Sequence, residues 1–424
     1  MLGTSSVVAI SDSIEDLKDN GLMVEGPPRG LEKIYDYEAG GHHPVRLSDI
    51  LHERYKVIHK LGSGGYANVW LCRDVTTDSP RYLAVKIIMA EGSNKDCPEL
   101  RVNRLIELGL DIDSVAEHFC LPLDQFEIDG PNGLHYVLVY PVLGPRVSRL
   151  LNVGSLEDPG KILRSICLQT TQAMATLHAH GICHGASGDA HHEPTAPQYL
   201  VYPISWDSVE LSALGTNFIT NKACIIDFGE SYEFSDPSPD LGIPQIYCSP
   251  EYTLDKKVGI GSDVWALGCT LFEIRTGKRL FDTFDDDIDE YLCKLAMILG
   301  KFPEPWWSTT WERRKDFFED NAGADGRVVE IRREVKSGNA ETHHPGREKE
   351  PEIVIIQQQE PRSLQDALAP GMFHKNRHGP GVTQRNIAQQ EIDHFSELLA
   401  GIFKYAPEER LTVRDVLAHA WFNL

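Results

Sequence analysis

A glycine-rich segment between two strand-like patterns constrains the fold of this chain more than any other feature. Apolar residues alternate over Tyr55–Leu61 and Asn68–Cys72, and the residues between them read Gly-Ser-Gly-Gly-Tyr-Ala. The alternation predicts strands, and the glycines predict a tight hairpin whose backbone N–H groups no side chain shields. Such N–H groups can bind phosphate oxygens. The sequence therefore predicts an antiparallel sheet with an anion-binding hairpin.

Further periodic segments extend this prediction to the rest of the chain. Residues 82–88 and 134–140 have the composition of two more strands, and the apolar spacing of 97–110 predicts one helix packed on the sheet. From about residue 143 the apolar spacing is mainly helical. The predicted fold class is α+β, with a small antiparallel-sheet lobe and a larger, mainly helical lobe. The helices predicted in the larger lobe are Leu163–His178, Ser262–Thr276, Ile392–Phe403 and Val413–Trp421.

Composition divides the chain into four parts. Residues 1–33 are polar and weakly patterned, which is typical of a flexible leader. We assign 34–142 to the smaller lobe and 143–424 to the larger one. Within the larger lobe, 319–361 is poor in apolar residues and reads as a flexible surface insert.

The charge balance bears on the partners of the chain. Its 424 residues include 41 Lys and Arg against 63 Asp and Glu, a formal net charge of -22. This charge repels nucleic acid and attracts basic partners, so we expect no direct nucleic-acid binding. The alternative is that the acidic surface serves solubility alone.

Two other features bear on the environment of the chain. Its longest apolar runs are far shorter than the roughly 20 residues of a membrane span, and the first residues lack the pattern of a secretory signal. Nine cysteines occur without a Cys-x-x-Cys pair, which favours reduced thiols over a disulfide framework or a zinc site. We expect no membrane association.

Lys86 and Glu99 form the first candidate pair for phosphate chemistry. Lys86 ends Ala84-Val85-Lys86 on the strand after the hairpin, from which its ammonium can reach phosphate oxygens. Glu99 begins the predicted helix, where its carboxylate can pair with Lys86. The simpler readings are a solvated strand lysine and a helix-capping glutamate.

Asp227 is the candidate metal ligand. It follows the apolar pair Ile225-Ile226 and precedes Phe228-Gly229, so a strand ends in an acid beside a glycine. A carboxylate in this place suits Mg²⁺ held on nucleotide phosphates, although Asp-Phe-Gly alone could be an ordinary turn.

Three residues of the second half complete the framework. Glu251, in Ser249-Pro250-Glu251, can pair with Arg410 and fasten the preceding loop to the helices. Asp263 opens an apolar helix, where it is a cap or a buried acceptor for backbone amides of another segment.

These motifs in this order resemble those of eukaryotic protein kinases and, among them, the SR-protein-specific kinases. The resemblance covers about residues 35–318 and 385–424. It rests on Tyr35-Asp-Tyr37, Gly40-Gly41-His42-His43-Pro44-Val45, Leu61–Leu71, Val142-Leu143-Gly144, His180–Gly185, Cys248–Glu251 and Asp263–Gly268.

The resemblance implies transfer of the ATP γ-phosphoryl group to serine or threonine, with ATP and Mg²⁺ as cofactors. It implies basic, arginine- and serine-rich protein substrates and a place in the cytoplasm and nucleus. We also expect a monomer. The acidic run Asp285–Glu290 lies near where that family docks basic peptides; it could equally be a solvated loop. The implied nucleotide-binding residues are Leu61, Gly62, Ser63, Gly64, Gly65, Tyr66, Ala67, Asn68, Val69, Ala84, Lys86, Pro141, Val142 and Leu143.

The catalytic loop departs from the family pattern. Where the family has His-Gly-Asp and an Asn five residues later, this chain has His184-Gly185-Ala186. A second alignment keeps the spacing with Glu193 as the catalytic base and Gln198 as a metal ligand. Both side chains are one methylene longer than expected, and catalytic groups tolerate such misplacement poorly.

Other readings of this loop stay open. Asp189 is a second candidate base, but Pro194 follows it at the required spacing and offers no ligand. An altered gene model or a splice variant would give the same pattern. If the loop is degenerate, the chain is a nucleotide-binding pseudokinase scaffold. Gly185 also removes the usual guanidinium that binds a phosphorylated activation loop, so switching by loop phosphorylation is not expected.

Overall fold

The computed structural model divides the chain into two compact units. One lies within 1–146 and 184–232, and the other lies within 147–183 and 233–424. The structure describes residues 36–101, 118–144, 158–185, 223–237, 242–283, 287–318, 328, 330–336, 352–359, 362–375 and 382–424.

The first unit is built on one antiparallel sheet of six strands in the order β1-β2-β3-β4-β6-β5. The four predicted strands are confirmed as β2, β3, β4 and β6. Strands β1 and β5 were not predicted, because β1 has two residues and β5 has only two apolar side chains among acidic and polar ones. The strands are β1 (Ile50–Leu51), β2 (Tyr55–Ser63), β3 (Ala67–Asp74), β4 (Arg81–Ile88), β5 (Asp124–Gly130) and β6 (Gly133–Pro141).

Alternating side chains of these strands form the core of the first unit. Successive side chains of a strand point to opposite faces, so the residues of one core cluster alternate along each strand, although β4 and β6 also bury residues on their other face. Each such apolar side chain contributes roughly 1.5–3 kcal/mol when fully buried. The buried cluster consists of Val45, Leu51, Tyr55, Val57, Trp70, Cys72, Leu83, Val85, Ile87, Val137 and Val139.

The segment before the first strand is fastened to the sheet. The N–H of Gly40 donates to the carbonyl of Asn132 at 2.8 Å, and the N–H of Ala90 donates to the carbonyl of Gly41 at 3.0 Å. A Cβ on Gly41 would lie 2.2 Å from the carbonyl oxygen of Asp36, so the turn admits only glycine there. This segment, residues 36–45, which we call the lead-in, is therefore an ordered part of the first unit.

The helix predicted for 97–110 lies mostly outside the described residues. Its described start is a 3-10 turn at Pro98–Leu100, after which Arg101 is helical. This turn buries Glu99.

The second unit contains the four predicted helices, which are confirmed at α1, α3, α7 and α8, the last shorter than predicted. Helix α4 was not predicted, because its first turn lies in the acidic run 285–290. The helices are α1 (Pro159–Ala179), α2 (Pro250–Asp255), α3 (Ile260–Thr276), α4 (Ile288–Leu299), α5 (Arg314–Phe317), α6 (Leu364–Leu368), α7 (Gln389–Ile402) and α8 (Val413–Leu417).

Local sequence explains where the main helices begin and end. Asp158 caps α1 by accepting a hydrogen bond from the N–H of Lys161 at 3.0 Å. Helix α3 ends at Gly277, whose φ of 72° is the left-handed conformation that terminates many helices. Within α3, a Cβ on Gly268 would lie 2.5 Å from Ile402 Cγ2, so glycine permits close packing of α3 against α7.

Short strands complete the described structure. Strands β7 (Ile182–Cys183) and β8 (Tyr232–Glu233) have two residues each. Within the predicted insert, β9 (Glu330–Lys336) pairs antiparallel with β10 (Glu352–Gln359), a pairing that composition did not predict. Strand β11 (Met372–Lys375) likewise pairs with β12 (Val382–Arg385).

The predicted pair between Glu251 and Arg410 is confirmed in the second unit. Nη1 and Nη2 of Arg410 donate to the two carboxylate oxygens of Glu251 at 2.8 and 2.6 Å. The hydroxyl of Ser262 also donates to Glu251 at 2.9 Å, and both charged residues are buried. The start of α2 is thereby fastened to the segment before α8.

Two further observations concern the thiols and the helices. All nine cysteines are free, and all of them except Cys224 are buried. Among the helices that the structure describes, none combines the length and apolar character that a membrane span requires.

Removal of Glu251 should strongly destabilise the second unit. We expect Glu251→Ala to lower the free energy of unfolding by about 3–5 kcal/mol, because the guanidinium of Arg410 stays buried without its partner. Urea denaturation measures the change, with Glu408→Ala, which alters an exposed acid nearby, as the control. A loss equal in the two variants would contradict the assigned role of the pair.

A histidine pair in the first unit makes its stability depend on pH. The rings of His43 and His135 lie 5.0 Å apart, edge to face. Burial, together with His135, lowers the pKa of His43 to about 4, although Asp49 acts in the opposite direction. The unfolded chain binds this proton near pH 6.5 and the folded chain only near pH 4, so acid favours unfolding.

Stability of the sheet should therefore fall between pH 6.5 and 4. We expect His43→Gln to remove up to about 3 kcal/mol of this acid-dependent loss, as a pKa difference of this size implies. Hydrogen exchange of the β3 and β4 amides, corrected for intrinsic rates, measures it. The control His180→Gln changes an exposed histidine and should keep the wild-type slope. An unchanged slope in His43→Gln would refute the assignment.

Candidate active site

The sheet places the predicted phosphate-binding residues in one row. Gly62 pairs with Val69, and Val69 pairs with Lys86 on the next strand. Directly paired residues of antiparallel strands share a face, and Ala84, two residues before Lys86, shares it too. Register thus brings the glycine hairpin, Val69, Ala84 and Lys86 to one surface.

The hairpin is a closed turn with open space beside its backbone. The N–H of Gly64 donates to the carbonyl of Ala67 at 3.0 Å and closes the turn. A Cβ on Gly62 would meet no atom within 4 Å, so the backbone there faces open space that a phosphate can enter. Ser63 donates to the side-chain oxygen of Asn68 at 2.7 Å, and Asn68 donates to the hydroxyl of Tyr37 at 3.3 Å. The lead-in therefore supports the hairpin.

Lys86 lies between two carboxylates. Its Nζ donates to Oε1 of Glu99 and, at 2.8 Å, to Oδ1 of Asp227. Burial would lower the pKa of Lys86, but the two carboxylates outweigh it and raise the pKa to about 12. The hydroxyl of Tyr140 donates to the other oxygen of Glu99 at 3.3 Å. These contacts hold a charged ammonium beside the hairpin.

Asp227 is held in an unusual backbone conformation. Its φ of 67° lies in the left-handed region, which a non-glycine residue rarely adopts and which often marks a functional site. Removal of water around the carboxylate would raise the pKa of Asp227, but the Lys86 ammonium and its hydrogen bond hold that pKa below its usual value. Mg²⁺ is bound in proteins mainly through ionised carboxylates together with water and phosphate oxygens, so Asp227 fits this metal.

The predicted adenine-binding segment follows the last strand of the row. Strand β6 ends at Pro141, which pairs with Leu83. Val142 and Leu143 are exposed, with 39% and 37% of their surface accessible. Binding of adenine by backbone groups of this segment stays a prediction.

The glycine that replaces the usual arginine is required by the backbone. Gly185 has a φ of 59°, and a Cβ there would lie 2.1 Å from the carbonyl oxygen of Glu230. The neighbouring His184 lies 3.1 Å from the carbonyl oxygen of Ile226, and its ring packs edge to face on Phe228 at 5.2 Å. The Asp227 segment therefore leaves no room for a side chain at 185.

Asp263 is a buried acceptor rather than a helix cap. Helix α3 is preceded by Gly259 as its capping residue, and Asp263 Oδ2 lies 2.9 Å from Nε2 of His178. With Nε2 protonated, His178 donates this bond. The catalytic-loop amides predicted as partners lie outside the described residues.

The structure brings together three predicted residues, Lys86, Glu99 and Asp227. The predicted base Glu193, the alternative Asp189, the metal ligand Gln198 and Ala186 lie outside the described residues, so their roles stay predictions. Sequence reasoning missed Tyr140, since its contact with Glu99 depends on strand register, which the sequence does not reveal.

The acidic run 285–290 is partly used within the protein. Asp287 caps α4 by accepting from the N–H of Asp289 at 2.8 Å. Asp289 in turn accepts from Nε1 of Trp311 at 2.8 Å and from Arg313 at 2.9 Å. Residues 284–286 lie outside the described part. Docking of a basic peptide here would compete with these internal partners.

Comparisons with known proteins find similarity to protein kinases. The protein kinase domain model matches residues 216–422. The serine/threonine-protein kinase SRPK of Physarum polycephalum is 23% identical over 95% of this chain and 93% of its own length. AFC3, a serine/threonine-protein kinase of Arabidopsis thaliana, is 24% identical over 92% of this chain and 87% of its own length. The spk-1 kinase of Caenorhabditis elegans is 32% identical over 41% of this chain and only 18% of its own length.

A side chain at position 185 should disrupt the site. We expect Gly185→Ala to lower the free energy of unfolding by roughly 2–4 kcal/mol, through left-handed strain and the clash with the Glu230 carbonyl. Gly181→Ala is the matched control, because Gly181 has a φ of 75° but no atom within 4 Å of a built Cβ. Gly181→Ala should lower the free energy of unfolding by only about 1 kcal/mol, as measured by denaturant titration. Equal losses would show that the clash is relieved at no cost.

Proposed function

This chain belongs to the protein kinase superfamily and resembles its SR-protein kinases, and on that premise we propose that it transfers the γ-phosphoryl group of ATP to serine or threonine of basic, arginine- and serine-rich proteins. The observation that carries the proposal is Lys86, held by Glu99 and Asp227 beside an open glycine hairpin. Phosphoryl transfer depends mainly on positioning and on electrostatic stabilisation, which this arrangement can supply.

The residues of the first unit have separate tasks in this reaction. The backbone of the hairpin binds phosphate oxygens, and Lys86 orients the α- and β-phosphates. Asp227 would hold Mg²⁺, which neutralises charge that develops on the transferred group. Val69 and Ala84, on the face of Lys86, offer the apolar contact for adenine, and Pro141 to Leu143 offer backbone groups to its edge.

The catalytic loop supplies the remaining tasks. Glu193 would accept the proton of the substrate hydroxyl, and Gln198 would be the second metal ligand. Support for both comes from the five-residue spacing in the sequence. The longer reach of both side chains favours slow turnover.

The substrate class follows from charge and from the family resemblance. The net charge of -22 favours association with arginine-rich segments through long-range attraction. We propose a monomer that acts on such proteins in the cytoplasm and nucleus.

Transfer of labelled phosphate from ATP to an Arg-Ser repeat peptide tests the proposal. We expect transfer by the intact protein with Mg²⁺, and a loss of at least about 100-fold in Lys86→Ala and in Glu193→Ala, the size expected for removing one electrostatic or acid-base group. Lys56→Ala alters an exposed lysine on β2 and serves as the control.

The other outcomes separate the alternatives. Transfer that is lost in Lys86→Ala but retained in Glu193→Ala would make another residue, such as Asp189, the base. Lys86-dependent ATP binding without transfer under any divalent metal would make the chain a nucleotide-binding scaffold. Equal transfer to a repeat peptide with Ala in place of Arg would refute the substrate class.

A further inference from the structure

Glu99 and Asp227 pose an electrostatic problem. Both carboxylates bind the same ammonium of Lys86, so two negative charges lie close to each other. The attraction of Lys86 for both overcomes their repulsion. If Lys86 and Asp227 also serve phosphate and metal, as proposed above, that attraction is divided among more groups. The two segments then need a tether that does not depend on Lys86.

Ser231 provides contacts between these segments. Its hydroxyl donates to the carbonyl of Pro98 at 3.2 Å, and its own carbonyl accepts from Nη1 of Arg101. Pro98 begins the 3-10 turn that contains Glu99, and Arg101 is the residue that follows this turn. Ser231 is 1% exposed, so water competes little for these bonds.

The same serine is tied to the Asp227 segment. The N–H of Ser231 donates to the carbonyl of Phe228 at 3.0 Å and closes the turn after Asp227. A Cβ on Gly229 would lie 3.3 Å from Oε1 of Glu99 and 3.6 Å from Oδ1 of Asp227. The turn thus lies against both carboxylates with no side chain between them.

We propose that Ser231 and Arg101 are positioning residues that hold the Glu99 turn against the Asp227 segment, and so keep Glu99 on Lys86. The side chains of Ser231 and Arg101 donate to backbone carbonyls. These hydrogen bonds therefore do not depend on whether Lys86 binds the carboxylates or a phosphate. This tether would fix the position of the Asp227 segment. An arginine at position 185 that binds a phosphorylated activation loop would otherwise have that task. Its effect on catalysis rests on the proposed function, whereas its effect on Lys86 does not.

Acylation of Lys86 measures the tether without nucleotide. The intact protein is treated at pH 9 with a small amine-acylating reagent, and modification of the Lys86 peptide is followed by mass spectrometry. We expect Ser231→Ala and Arg101→Gln to raise the rate roughly three- to tenfold, because a fall of one pKa unit gives ten times more free amine. Ser231→Thr keeps the hydroxyl and should stay nearer to wild type.

Ser93→Ala is the matched control. Ser93 is a buried serine of the same unit whose hydroxyl donates to the carbonyl of Met89 at 2.8 Å, away from Glu99. Its Lys86 rate should stay within about twofold of wild type, well below the change for one pKa unit. Unchanged rates in both Ser231→Ala and Arg101→Gln would overturn the proposal. If Ser231→Ala fails to fold, Arg101→Gln decides.

Phosphate transfer provides the second readout. Where the wild type is active, kcat should fall about tenfold in both variants with a smaller change in the KM for ATP, because Lys86 acts most strongly in the transition state. A wild type without transfer would count against the proposed function only, since the acylation result stands by itself. Active variants with wild-type kcat and altered KM alone would refute the positioning role.

Discussion

The first unit depends on one ammonium group held between two carboxylates. Lys86 comes from the sheet, Glu99 from the turn after it, and Asp227 from a segment 141 residues further along the chain than Lys86. Only 14% of the Lys86 side chain is exposed, so its charge would be costly to bury without a carboxylate partner, whereas 61% of the Asp227 side chain is exposed. The formal charges of Lys86, Glu99 and Asp227 sum to one negative charge, which favours binding of a metal cation.

Backbone geometry, rather than side-chain identity, sets the space around this cluster. The turn at 229–231 is confined by the Glu99 carboxylate on Gly229 and by the backbone of Gly185 on Glu230. A Cβ at 185 would clash with the Glu230 carbonyl oxygen at 2.1 Å, and a Cβ at 229 would make a tight contact of 3.3 Å with the Glu99 carboxylate. The departure of Gly185 from the usual kinase pattern is therefore compatible with an ordered Asp227 segment. Loss of the arginine alone does not argue for loss of function.

Much of the sheet could be predicted, because strands that pack on a core carry a recognisable pattern of apolar residues in the sequence. Strand β5 has only Phe126 and Ile128 to mark it, so it escaped this test. Residues that form the charged cluster were found through their motifs. Tyr140 and Ser231 were not, because their partners are fixed by strand register and by backbone carbonyls, which leave no residue-type signal. The strands within the insert were missed because the polar composition of 319–361 as a whole outweighed the apolar run Ile353–Ile356 in β10.

Net charge predicts a class of partner better than it predicts where the partner binds. A formal sum counts every carboxylate equally, although a paired carboxylate presents a dipole whose field decays faster than that of a lone charge. Asp289 is paired with Arg313, and Glu251 is paired with Arg410. A basic peptide gains little from such acids unless it displaces their partners. If the net charge of -22 attracts a basic peptide, carboxylates outside these pairs must therefore determine where the peptide binds.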